Sequence, residues 1–142
     1  MSGNKEMLNY IYQNSQMGVN TIEQLVKISE DDEFKGYLTS QLREYKEINN
    51  KAMDIIKSMG FEEKGVGTFG EISTYMMINI KTLMDKSSSH IAEMMINGST
   101  MGIIQATRSL KKYKDADKKI IALMEKLIET EENNFQQLKK FL

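Results

Sequence analysis

No proline interrupts the 142 residues of this chain, and that absence constrains the fold more than any motif does. Proline removes a backbone donor and clashes with the preceding helical turn, so without it helices extend as far as the apolar pattern supports them. That pattern has helical spacing almost throughout. A first helix is expected over about residues 4–29, with Leu8, Ile11, Ser15, Gly18, Ile22 and Leu25 on one face. A second follows the acidic stretch SEDDE and runs to Met59, capped by Ser29 or Asp31 and stopped by Gly60. Its stripe is Phe34, Leu38, Gln41, Tyr45, Ile48, Ala52, Ile55 and Met59. The link between these helices is so short that an antiparallel hairpin is expected.

Four of the nine glycines fall between Gly60 and Gly70, in GFEEKGVGTFG, which reads as a loop. A shorter helix over about residues 71–86 follows, and KSSS then supplies a break and an N-cap at Ser88 or Ser89. The third long helix carries Ala92, Ile96, Ser99, Ile103, Ala106, Leu110 and Tyr113 on its core stripe, with Ile91, Met94 and Met101 on other faces. The fourth starts from an N-cap at Asp115, with Ile120, Met124, Leu127, Glu131, Asn134, Leu138 and Phe141 in line and Phe135 at the edge. One unbroken helix over residues 71–113 would be about 65 Å long, against about 40 Å for the others. Residues 60–89 are therefore read as a crossover carrying a short fifth helix, long enough for the second and third helices to run parallel. The whole chain, 1–142, is read as one all-α domain.

Gly98 and Gly102 sit mid-helix, where each glycine costs about 0.5–1 kcal/mol relative to alanine. With Ser99 and Ala106, and with Gly18 on the first helix, they are read as residues that let neighbouring backbones approach closely. GSTMG follows no strand, so it is not a nucleotide-binding loop.

Composition excludes several classes. There is no cysteine, hence no disulfide, thiolate chemistry or Cys-ligated metal. The 19 basic and 20 acidic residues are mixed along the chain, and the basic cluster Lys111, Lys112 and Lys114 suits a helix C-terminus, so no nucleic-acid footprint stands out. The beginning MSGNKEMLNY has no apolar leader and no apolar run reaches a membrane span, so a cytoplasmic protein with no membrane partner is expected. Seventeen lysines against two arginines, with many Ile and Asn, fit an AT-rich bacterial genome.

Polar residues interrupt the apolar stripes. Counting residues from the inter-helix turns puts Ser15, Gln41, Tyr45, Ser99, Glu131 and Asn134 at one or two levels of the bundle. They form a candidate polar core or ligand-binding layer. Burial disfavours a charged carboxylate, so the Glu131 pKa is expected to rise.

Two hairpins joined by a long crossover resemble the ferritin-like superfamily. Phrases such as YQNSQMG and HIAEMMINGSTMG resemble small bacterial proteins of that superfamily. The resemblance implies a four-helix bundle. In the di-iron members, two helices each supply a Glu and two supply Glu-x-x-His, all pointing inward. Here the matching positions read Glu131-x-x-Asn134 and Gln41-x-x-Glu44, with Ser15, Gly18 and Ser99 where further carboxylates would stand. No di-iron centre and no cofactor are expected; a divergent iron or manganese site would draw on Glu44, Glu93, Glu131 and His90. His90, the one histidine, heads the third helix with Glu93 one turn on and is read as packed under the crossover. Met76, Met77, Met84, Met94, Met95 and Met101 cluster around that crossover and are read as gap-filling core. No catalytic constellation is visible. The expectation is a non-enzymatic bundle that acts by homo-oligomerisation or by binding a protein partner or ligand. The alternatives are a di-metal carboxylate protein and a small-ligand binder with a polar cavity beside Tyr45 and Glu131.

Overall fold

The computed structural model describes residues 3–61, 80 and 82–142. Those residues form four long α-helices: α1 (Asn4–Ile28), α2 (Asp32–Ser58), α3 (Ser88–Lys112) and α4 (Lys118–Leu138), with a closing 3₁₀ turn over Lys139–Phe141. No helix among them is long and apolar enough to cross a membrane. Most of GFEEKGVGTFG and of the fifth helix expected over residues 71–86, with Met76 and Met77, lies outside the described residues.

The helix ends follow from local chemistry. Asp31 caps α2 by accepting from the Glu33 N–H at 3.0 Å. Gly60, at φ +71°, ends it with a 3.0 Å bond from the Phe61 N–H to the Ile56 carbonyl, the left-handed stop that glycine adopts without steric cost. Two caps differ from expectation. Ser87, not Ser88 or Ser89, caps α3, accepting from the His90 N–H at 3.2 Å. That leaves the Ser88 hydroxyl to donate to Asp31 at 3.2 Å. Asp117, not Asp115, caps α4, because a turn closed by Ala116 N–H on the Tyr113 carbonyl carries the chain further. The Asp117 N–H then donates to Asn4 at the head of α1. Gly3, at φ +78°, lets α1 start flat against Tyr113; a β-carbon there would lie 2.1 Å from the ring.

The starts of α2 and α3 thus meet at Asp31 and Ser88, and those of α1 and α4 at Asn4 and Asp117. In the middle, Asn49 of α2 donates to the Tyr12 carbonyl and the Ser15 hydroxyl of α1, both at 3.1 Å. α1 packs chiefly on α2, and α3 chiefly on α4. α4 also touches both α1 and α2, whereas the α1–α3 contact is slight. That slight contact decides where the site lies.

The core is Leu8, Ile11, Leu38, Ile48, Ile120, Met124 and Leu127, all but closed to solvent, with Phe34 against Phe141 at 4.8 Å between ring centres. Ile56, rather than Ile55 and Met59, continues the α2 stripe: after Ala52 the buried face steps by four residues. On α3 only Ala92, Ser99 and Ala106 of the expected stripe are buried. Ile96, Ile103, Leu110 and Tyr113 are half-buried, and Met101 and Ile104 are about half exposed. Among the described elements α3 has one principal neighbour, α4, and that contact covers one face.

Candidate functional site

Where α1 and α3 part, a cavity of about 870 Å³ opens between them. Its walls include Met17 and Ile22 of α1, Met94 and Met95 of α3, and Leu83 of the approach to α3. Gln41, Tyr45, Ser99 and Glu131 also line it. The charged or titratable side chains in the wall, among the described residues, are Asp85, His90, Tyr45 and Glu131. No lysine or arginine is among them.

Glu131 is 4% exposed. Its helix puts it there: Leu127 lies one turn before it, Asn134 one turn after it and Leu138 two turns after it, all on the buried face. Burial raises its pKa to about 8, against opposing hydrogen bonds from Tyr45 and Ser99 that favour the carboxylate. Tyr45 is fully enclosed, and burial, then the charge of Glu131, pushes its phenol well above the ordinary value. Tyr10 is raised to about 12, again by burial first; the Asn14 hydrogen bond opposes this and Glu131 adds to it. Among the described residues Glu131 therefore faces tyrosines from α1 and α2, and no lysine or arginine.

Two glycines make this arrangement possible. A β-carbon on Gly102 would lie 2.9 Å and 3.0 Å from the two carboxylate oxygens of Glu131. The Gly102 carbonyl also accepts from the Tyr10 hydroxyl at 3.1 Å, and Asn14 donates to that hydroxyl at 3.0 Å. A β-carbon on Gly18 would lie 2.9 Å from the Tyr45 ring. The glycines were expected to bring helix backbones together. Instead, Gly18 and Gly102 are recesses for side chains, and Gly98 is exposed with open space around it.

Five of the six expected polar residues fall in this region. Gln41, Tyr45, Ser99 and Glu131 line the cavity, and Asn134 stands behind it, its side-chain oxygen facing the Tyr37 hydroxyl. Ser15 is buried elsewhere: its hydroxyl donates to the Ile11 carbonyl at 2.7 Å and receives Asn49. Four participants were not anticipated. Tyr37 receives the Gln41 amide and donates toward the Asn134 carbonyl and side-chain oxygen at 3.3 and 3.4 Å. Thr130 is buried beside Glu131, and Tyr10 with Asn14 joins α1 to α3. Tyr10–Asn14 and Tyr37–Gln41 each stand four apart on a helix, the one signal that could have found them. Gln41 Oε1, Thr130 Oγ1 and Asn134 Nδ2 are buried without a partner, an uncommon state for enclosed polar atoms.

The four residues considered for a metal do not gather. His90 Nδ1 lies 3.7 Å from Glu93 Oε1 at the surface, and Glu44 is exposed on α2. His90 is thus at the cavity rim and partly exposed, not enclosed. Among the described residues no three His, Cys, Asp or Glu side chains come together as a metal would require.

Comparison with known proteins finds no matching family model, no similar curated protein and no similar solved structure.

Proposed function

We propose that this chain is a binding protein for a small, largely apolar molecule, held between α1 and α3 with its polar end at Glu131. The observation that carries this reading is a carboxyl group, 4% exposed, in the wall of a cavity of about 870 Å³. That volume is within the roughly 300–1,000 Å³ of typical small-molecule sites, which pair apolar walls with a few placed polar groups. The methionines add a wall that adapts to different shapes, because thioether chains are unbranched and polarisable. We read the role as non-enzymatic: among the described residues Asp85 and His90 stand at the rim, and the hydroxyls beside Glu131 are those of Ser99 and Tyr45, with no imidazole next to them. The bundle itself we read as ferritin-like, two antiparallel hairpins with a long crossover; the meeting of α2 with α3 at their starts, and of α1 with α4 at theirs, supports this.

The test is a thermal-shift and calorimetric screen with small apolar amines, alcohols and acids, run beside Gly98→Trp. Gly98 lines the cavity and has open space around it, so tryptophan there obstructs the site without displacing the core. Ligands that stabilise the wild type should lose affinity for this variant, whose own melting temperature should be no lower because tryptophan is the better helix former. Equal binding by both would overturn the assignment.

A second reading, self-association, rests on Met101 and Ile104, which are 47% and 46% exposed on α3. Molar mass in solution, measured for the wild type and for Ile104→Glu, tests it. A monomeric wild type removes it.

A further inference from the structure

We infer that the molecule bound in this cavity is a cationic amphiphile: an alkyl or aryl ammonium whose charge pairs with Glu131 and whose apolar part lies against the methionine wall. This rests on the cavity being a binding site and goes further, to the charge of what it binds.

The charge inventory of the wall comes first. Asp85 and Glu131 are its carboxylates, and no lysine or arginine lines it among the described residues. Among the described residues an anionic ligand would meet these two carboxyl groups, with no lysine or arginine to receive it and the single imidazole, His90, at the rim and away from Glu131. Among the described residues, the titratable groups around Glu131 itself are Tyr10 from α1 and Tyr45 from α2, while α3 contributes Ser99 and Gly102. Ionised alone, Glu131 is a buried charge without a counter-ion, which is costly. A ligand that brings one positive charge removes that cost.

The hydrogen-bonding inventory agrees. The Tyr45 and Ser99 hydroxyls stand beside Glu131 and favour its charged form, so part of the stabilisation that a carboxylate needs is in place before anything binds. Two acceptors of the wall are open to a donor: the remaining lone pairs of Glu131 and the carbonyl oxygen of Gln41, which is buried without a partner. An ammonium is a donor-only group and matches such a set. A bare metal ion does not, because it needs more anionic or imidazole ligands than gather here. The walls of Met17, Ile22, Met94 and Met95 give an organic tail its place.

Binding of this kind exchanges charges. The carboxyl, protonated in the empty site near neutral pH, loses its proton to solvent as the ammonium enters, so one proton leaves for each cation bound.

The experiment is isothermal titration of the full chain with octylamine, 1-octanol and octanoate, each below its micellar concentration. Titrations are run in two buffers of different ionisation enthalpy at about neutral pH. Octylammonium should bind at least about tenfold more tightly than octanol, with octanoate weakest and with close to one proton released per amine. Glu131→Gln should reduce the amine to the affinity of the alcohol and leave the alcohol unchanged. Asp85→Asn, at the exposed rim, should change both by less than about twofold. Octanol or octanoate binding as tightly as the amine would overturn this inference while leaving the cavity a binding site. Failure of all three to bind would overturn both. The wild-type ranking of the three ligands decides the matter even if Glu131→Gln does not fold.

Discussion

One end of the bundle is closed by volume, and its middle is held by pairing. At the first, Met7, Leu8, Ile11, Ala52, Ile56, Ile120 and Met124 are fully buried and carry no hydrogen-bonding side-chain group. In the second, Tyr45, Glu131, Asn134, Gln41 and Tyr37 each contact another polar member of the set. Apolar packing is non-directional, so the first region should accept hydrophobic swaps that keep volume. The second depends on which atom faces which, and one of its members changes charge near neutral pH. Among the described residues the one deeply buried carboxyl, Glu131, lies in the region that also has spare space.

The sharpest way to separate the two regions is by the size and pH dependence of truncation. Met124→Ala leaves a cavity at a site with no exposure and should cost about 2–5 kcal/mol. That cost should be the same at pH 5 and pH 8, read from denaturant melts. A cost that changes strongly with pH would mean that the apolar end is coupled to the polar layer.

Glu131→Gln probes the other region. Its folded pKa is raised, to about 8 from an ordinary 4.5, so the folded state holds the proton more tightly than the unfolded chain does. The favourable contribution is fully present below about pH 4.5 and is lost as pH rises through about 8. Wild-type stability should therefore fall across that window, by a few kcal/mol at about 1.4 kcal/mol per unit. The glutamine variant should lack this fall and be the more stable of the two at pH 8. Parallel pH profiles for both proteins would show that the carboxyl is solvated and that the comparison fails.

Much of this was readable from residue order. Helical spacing places the α4 stripe without error from Ile120 to Leu138, and counting from the turns brings Gln41 and Glu131 to one level. Such readings succeed because they use only periodicity and chain length. The cavity was not readable in the same way. It exists because α1 and α3 make little contact, a property of how four helices settle together and not of any one of them. The glycines show the same limit. Gly18, Gly98 and Gly102 look alike in a helical pattern, yet they face a ring, open space and a carboxylate. Tyr37 and Thr130 stand beside the stripes, not on them, so their part in the layer depends on side-chain reach.

Gly18→Ala tests whether the middle of the bundle is as exacting as its pairing implies. The added methyl group would lie 2.9 to 3.2 Å from three atoms of the Tyr45 ring, and that ring is enclosed and cannot yield by rotating its far end. Overpacking should cost about 1–3 kcal/mol, more than the roughly 1 kcal/mol that alanine gains as a helix former. It should also weaken the Tyr45 bond to Glu131 and steepen the pH dependence. A stabilised variant would show that the ring has room.

The smallest effect discriminates most finely, because it compares two glycines of one helix. Gly98→Ala meets nothing within 4 Å and should stabilise by about 0.5–1 kcal/mol, the helix-propensity gain alone. Gly102→Ala offers the same gain but presses on the Glu131 carboxylate. That group is the flexible end of its side chain and borders the cavity, so it can swing aside at the cost of its bonds to Tyr45 and Ser99. The net change should then be near zero at pH 5, where the carboxyl is neutral. At pH 8 it should turn toward stabilisation, because a carboxylate moved to the cavity is better solvated and ionises at less cost. Melts of the two variants at both pH values check this. If Gly102→Ala gains the same amount as Gly98→Ala at pH 5 and pH 8 alike, Gly102 is not a recess for Glu131, and the pairing of the two helices must be explained by backbone contact after all.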